Sequence, residues 1–269
     1  MLFWRALFLV ILAAPALAQK KVEPVAPLDP FAPTANHARR YAECMQLARR
    51  EPLRALPIAE KWKAEGGGLG ARHCVAIAMF ESGKYVPAAM QLEQIEREMG
   101  TDRPGLRAEL LAQAGLAWSE ANQAENAAKA QGRALELKPN DPDLWIDRGL
   151  SYAAMRAWPR AISDFDRALT LEPYKVEIYV LRAAAWRNAG NPGNALADAD
   201  RALTIAPDNP EILLERALAL QAMGNQKSAT ADLNKVLKLA KVGSDTAKRA
   251  ESALRGEPST VSPPAASKR

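Results

Sequence analysis

Cysteine and histidine are scarce in this chain, with two of each in 269 residues. That scarcity excludes a disulfide-dense scaffold and most multi-ligand metal frameworks, and the lack of any C-x-x-C-H run excludes a c-type haem. An excess of one charge sign is also lacking: 36 Lys+Arg face 31 Asp+Glu, a formal net charge of +5. The basic residues are interleaved with acids, so nothing marks a nucleic-acid partner. Beyond the first 18 residues no apolar run approaches the ~20 residues that cross a bilayer. Catalytic signatures are missing too. There is no G-x-S-x-G elbow and no histidine between residues 108 and 243, and Gly66, Gly67, Gly68 and Gly70 lack the lysine of a phosphate loop. No catalytic residue, no cofactor and no metal site is therefore expected. Against these absences stand 48% hydrophobic and 25% charged residues, the balance of a chain that buries a core.

The amino end reads MLFWRALFLVILAAPALA, with one early charge at Arg5, an apolar stretch over residues 6–14, Pro15, and Ala16-Leu17-Ala18 ahead of Gln19. This is the three-part pattern of an export signal cleaved after Ala18, with an uncleaved amino-terminal anchor as the alternative. Once cleaved, the chain is expected to keep no stable membrane insertion. Residues 19–33 carry four prolines and no periodicity, as a flexible leader does. Residues 257–269 are polar and proline-bearing, a composition expected to stay disordered.

What dominates the rest is a repeat. One heptapeptide occurs three times, as RALELKP (Arg133 to Pro139), RALTLEP (Arg167 to Pro173) and RALTIAP (Arg201 to Pro207), at intervals of 34 residues. Within that period Trp145, Gly149 and Tyr152 fall on one helical face, and Ala161, Phe165 and Ala168 on another. Small residues at Gly149 and Ala161 let two helices cross closely, and Pro173 stops the second. Asp141-Pro142-Asp143 and Asn209-Pro210-Glu211 read as helix starts: a capping residue, proline at the first position, an acid in the first turn.

This spacing resembles the tetratricopeptide repeat, whose signature is W-x2-L-G-x2-Y, then A, F, A and P; Arg148 departs from it at the usual leucine position. The resemblance implies an all-α solenoid, a right-handed superhelix of helical hairpins. The frame gives four regular units at 108–141, 142–175, 176–209 and 210–243. Two degenerate hairpins precede them in 34–107, a spacer at residues 103–107 breaks the period, and a capping helix occupies 244–256.

In proteins of this family the first helix of each unit lines a concave groove that holds peptides or helices. By that resemblance the groove here presents the fifth and ninth positions of each unit, Ala112 and Leu116, Ile146 and Leu150, Val180 and Ala184, Leu214 and Leu218, with Arg187, Asn188 and Gln221 at its polar edge. The stripe is apolar. It lacks the lysine and asparagine with which chaperone-binding members clamp a carboxyl terminus. Three uses stay open: an open groove for a partner segment, a groove filled from within, or self-association into a homo-oligomer. Acidic pairs such as Asp164/Asp166 and Asp198/Asp200 read as solvated faces. Successive first helices pack side by side in this architecture, which sets Cys44 and Cys74 up for a disulfide in an oxidising compartment; two buried thiols are the alternative. The resulting expectation is a non-catalytic periplasmic scaffold that joins proteins of a bacterial cell-envelope complex, with no nucleic-acid partner.

Overall fold

The structure, a computed structural model, describes residues 31–257; the expected export signal, the leader up to residue 30 and the tail from residue 258 lie outside the described residues. Among the described residues there is no strand, and thirteen helices follow one another: α1 (Ala35–Arg50), α2 (Pro52–Ala64), α3 (Gly68–Glu81), α4 (Tyr85–Glu98), α5 (Pro104–Glu120), α6 (Ala124–Leu137), α7 (Pro142–Ala154), α8 (Trp158–Leu171), α9 (Val176–Asn188), α10 (Pro192–Ile205), α11 (Pro210–Ala222), α12 (Gln226–Leu239) and α13 (Asp245–Leu254). They stack as six hairpins, each helix packing on its neighbours in the chain, and α13 closes the carboxyl end against α11 and α12.

Local chemistry places the helix ends. The Asp141 side chain accepts from the Asp143 amide, and Asn209 accepts from the amides of Glu211 and Ile212, each ahead of a proline that needs no donor partner. Ser244 caps α13 in the same way through the Ala247 amide. The turn inside each hairpin from α3–α4 onward is equally regular. In α7–α8 the Ala157 amide bonds back to the Tyr152 carbonyl, and in α9–α10 Asn191 bonds to Trp186, both at 2.9 Å. The residue before that amide must adopt a left-handed conformation. Gly190 does so freely at φ 79°, whereas Arg156 takes φ 56° at a cost of about 1 kcal/mol.

Each hairpin closes over a small residue. Phe165 of α8, 1% exposed, lies on Gly149 of α7, where an added Cβ would stand 2.6 Å from its ring. Around this crossing Ile146, Ile162, Ile178, Tyr179 and Leu181 form one buried cluster that spans α7, α8 and α9. Neighbouring units are also tied by polar reach: Trp145 Nε1 donates to the Pro139 carbonyl at 2.8 Å, and 34 residues on the Tyr179 hydroxyl donates to that of Pro173 at 3.1 Å.

Only one member of each acidic pair is a solvated face: Asp166 and Asp200 are exposed. Asp164, Asp198 and Asp232 are buried, and each takes a two-pronged bond from an arginine sixteen residues earlier: Arg148 (2.8 and 2.8 Å), Arg182 (2.8 and 2.6 Å) and Arg216 (2.8 and 2.8 Å). Arg182 and Arg216 also reach back to Asp166 and Asp200 of the preceding hairpin. A ladder of ion pairs with the 34-residue period thus runs through α7 to α12. It explains Arg148 at the leucine position, where the guanidinium lies 4.8 Å from the Trp145 ring and 5.7 Å from that of Tyr152.

Two further expectations change. Residues 104–107 are not a spacer: they begin α5, which runs 17 residues against 13 in α7. The longer helix brings Arg107 to the buried Glu96 of α4 at 3.0 and 2.7 Å, and Arg133 of α6 bonds the same carboxylate. The break in period is therefore bridged by a carboxylate held between two arginines. The end of the leader is not loose either, since Phe31 is 4% exposed and stacks on Tyr41 and His73.

Candidate functional site

The inner wall is built from the first helix of each hairpin, where α1 packs on α3, α5 on α7 and α9 on α11. The fifth and ninth positions do not form one uniform stripe. Ile146 (1% exposed), Leu214 (0%) and Leu218 (6%) are enclosed, whereas Ala112, Leu116, Leu150, Val180 and Ala184 are half-buried. Ile146 is sealed in the cluster around Phe165. Leu214 and Leu218 join Ala250 and Ala253 of α13, so the cap fills the carboxyl end of the wall.

The polar edge is engaged from within. Arg187 bonds the buried Glu215 at 3.3 Å, Arg249 of α13 reaches the same carboxylate at 2.6 Å, and Gln221 Nε2 donates to the Ala253 carbonyl at 3.0 Å. Asn188 donates to the Ala184 carbonyl of its own helix at 2.7 Å. Of the residues expected to meet a partner, the structure leaves a half-exposed apolar row from α5 to α9 and assigns the rest to holding the cap and the helices.

At the amino end the wall opens. A hollow of about 430 Å³ lies between α1, α3 and α5, lined by Phe31, Tyr41, Met45, Arg49, His73 and Gln113 together with Arg103, Leu106, Glu109 and Leu110. Its floor is a chain of hydrogen bonds across three successive first helices. The Tyr41 hydroxyl and His73 Nδ1 are 2.6 Å apart, and His73 Nε2 lies 2.8 Å from Gln113 Oε1. Since an amide oxygen only accepts, His73 carries its proton on Nε2 and receives that of Tyr41 on Nδ1. Beneath this floor Cys44 and Cys74 form a disulfide with 6.1 Å between Cα atoms, joining α1 to α3 one residue from His73.

Burial, followed by the nearby Arg49 charge, holds the His73 pKa below its ordinary value, and the bond to Gln113 opposes this only in part. The native state therefore excludes a proton that the unfolded chain takes up near pH 6.5, so stability is complete above that pH and declines as pH falls below it. We expect a slope of up to about 1.4 kcal/mol per pH unit in urea unfolding of the wild type between pH 6.5 and 5.5. His73→Leu should flatten the slope over that interval; an unchanged slope would remove His73 from this role.

These features define a class of protein, a solenoid of stacked helical hairpins with a graded inner wall and a cap. Sequence and structure comparisons agree on this architecture. The family model of the tetratricopeptide repeat matches residues 114–185, so this stretch of the chain carries tetratricopeptide repeats. Among solved structures it is similar to MamA of Desulfovibrio magneticus RS-1, at 16% identity over 64% of this chain and 94% of that one with a TM-score of 0.57. A second MamA structure covers 72% of this chain and 100% of its own at 14% identity, with a TM-score of 0.53. At such identities the likeness is one of fold. No curated protein matches the chain.

The hollow's Tyr41–His73–Gln113 chain and the Phe31 stack are not legible as a site in the sequence. His73 offers one signal there, a lone histidine beside a cysteine, and that signal points to metal or structure instead of to a wall shared by three helices.

Proposed function

We propose that this protein is a non-catalytic scaffold of the bacterial cell envelope that works in the periplasm and holds one protein against another along its inner wall. The observation that carries the reading is the row Ala112, Leu116, Leu150, Val180 and Ala184, a run of half-exposed apolar side chains on three successive first helices that ends beside the hollow. Such a row suits an extended or helical segment with apolar anchors. The periplasmic setting rests on two features, the signal-like residues 1–18 and a Cys44–Cys74 disulfide of the kind that persists in oxidising compartments. No helix among the described residues is long and apolar enough to cross a membrane.

The test is capture from envelope extract by the tagged full chain, wild type against Leu150→Glu with Val180→Glu. Both positions are half-buried, so the solenoid should tolerate the change better than at the enclosed Ile146. The pair should reduce recovery of the main partner by about tenfold or more, as two charges set into an apolar contact do. Equal recovery would remove the wall from the interaction. A second copy of the chain as the sole captured protein would make the wall a self-association surface. Fractionation with amino-terminal sequencing checks the setting: a mature chain that begins at Gln19 in the periplasmic fraction is expected.

A further inference from the structure

We propose that the outer face of the last hairpin docks on an anionic phospholipid surface, with Leu239 and Val242 set into the headgroup boundary and lysines beside the lipid phosphates. This adds a membrane contact to the scaffold reading and does not depend on the inner wall.

The run KVLKLAKVG, Lys235 to Gly243, ends α12 and enters the turn before α13. Leu233 and Val236 are fully buried in one cluster with residues of α11 and α13. The exposed positions of α12 include Lys227, Lys235 and Lys238 and no acid. Beyond the helix the Ser244 amide bonds the Lys241 carbonyl at 3.0 Å and Gly243 takes φ 76°, so Val242 stands at the tip of a closed turn, 94% exposed. Leu239, the last residue of α12, is 43% exposed.

The repeat accounts for only part of this surface. Leu171 and Ile205 hold the place of Leu239 in the two preceding units, so a large apolar residue there belongs to the frame. At the next places Pro173-Tyr174 and Pro207-Asp208 give way to Lys241-Val242. Neither the turn nor any packing contact calls for a valine at that tip, and a lipid boundary would take its carbon out of water. Lys227, Lys238, Lys241 and Lys248 are exposed and meet no carboxylate within ion-pair distance among the described residues, whereas Lys235 is bonded to Asp208 at 2.8 Å. The exposed acids of α13 are Asp245 and Glu251, so four lysines face two acids and the excess lies on the α12 side. Residues 258–269 add Lys268 and Arg269 and no acidic side chain.

The kind of cation favours lipid over protein. Where this fold holds its own carboxylates it uses arginine, at Arg148, Arg182 and Arg216, whose planar fork grips two oxygens. The α12 face carries only lysine, the hydrated point charge that is depleted in protein–protein interfaces and that basic patches set against phosphate headgroups. Val242 projects from a turn instead of lining a hollow, which suits a fluid boundary that closes around it.

The test is flotation with vesicles of phosphatidylcholine alone and of phosphatidylcholine mixed equally with phosphatidylglycerol. The chain from Gln19 to Arg269 is used, since the apolar residues 1–18 would bind lipid by themselves. Wild type should bind the anionic vesicles at least about tenfold more tightly than the neutral ones, and added salt should weaken that binding. Lys238→Glu with Lys241→Glu should weaken it about twentyfold or more, at roughly fivefold for each lysine near the surface. Leu239→Ser with Val242→Ser should weaken it by about tenfold. All four side chains are exposed, so helical circular dichroism should not change. Lys61→Glu with Lys63→Glu makes the same change of net charge on α2 and should stay within about threefold of wild type, as should the Leu150/Val180 pair. Failure of the wild type to bind anionic vesicles, equal binding to neutral ones, wild-type binding by either carboxyl-terminal pair, or an equal loss in the α2 pair overturns the docking face. If the wild type ignores vesicles and the Lys238/Lys241 pair loses an envelope protein on capture, the face is a protein contact and the lipid assignment falls. A Leu150/Val180 pair that captures the partner like wild type and still floats removes the inner wall and leaves this face standing.

Discussion

Arg182→Ala is expected to lower the unfolding free energy by about 3 kcal/mol or more, because it strands a carboxylate that the fold has taken out of water. Asp198 is 7% exposed and receives both of its close bonds from the Arg182 guanidinium. Burial alone would depress the arginine's pKa, but the bonds and charges of Asp198 and Asp166 more than offset it and raise it further, so the guanidinium stays charged. Removing one partner leaves the desolvation of the other uncompensated. Replacing both, as Arg182→Met with Asp198→Leu, should recover most of the loss, since an apolar pair fills the same space without buried charge. Urea unfolding followed by helical circular dichroism measures both. A loss below about 0.5 kcal/mol for the single variant, the scale of a solvated surface pair, would mean that the ladder carries no stability.

The other large effect belongs to the ring at the crossing of α7 and α8. Phe165→Ala should cost about 4 kcal/mol, the sum of lost transfer energy and the cavity left under a cluster that cannot collapse onto it. Gly149→Val should cost about 2 kcal/mol from the opposite cause, forcing carbon into space that the Phe165 ring already fills. Because both changes act on the same volume, the double variant should lose less than the two single losses added together. Strict additivity in the same urea measurement would show that the two residues do not share that space.

Much of this fold is legible in the amino-acid sequence because the relevant interactions are local. The 34-residue heptapeptide, the face formed by Trp145, Gly149 and Tyr152, and the caps at Asp141 and Asn209 all act within one hairpin, and helices stand where they point. The sites are less legible for a reason that Asp198 makes plain. Its pattern in the chain is that of an outer, charged position, and only the packing of α9 on α10 brings Arg182 to it. Ile146 and Leu214 show the same limit in reverse, since periodicity says which face a residue is on but not whether a neighbouring unit or α13 covers that face. The tie between Glu96, Arg107 and Arg133 depends on four residues being drawn into α5, a start that Pro104 marks locally but that lies outside the 34-residue frame.

By itself, then, the amino-acid order determined the repeating unit, the helix ends and the pairing of helices into hairpins, because capping, side-chain periodicity and glycine at close crossings operate over a few turns of one helix or between adjacent ones. The stacked structure decided which inner-wall positions remain open, how the arginine–aspartate ladder closes, and that Phe31, Tyr41, His73 and Gln113 meet around one hollow. Those outcomes depend on contacts between residues 10 to 42 positions apart, which are set by the packing of separate helices and not by any single segment.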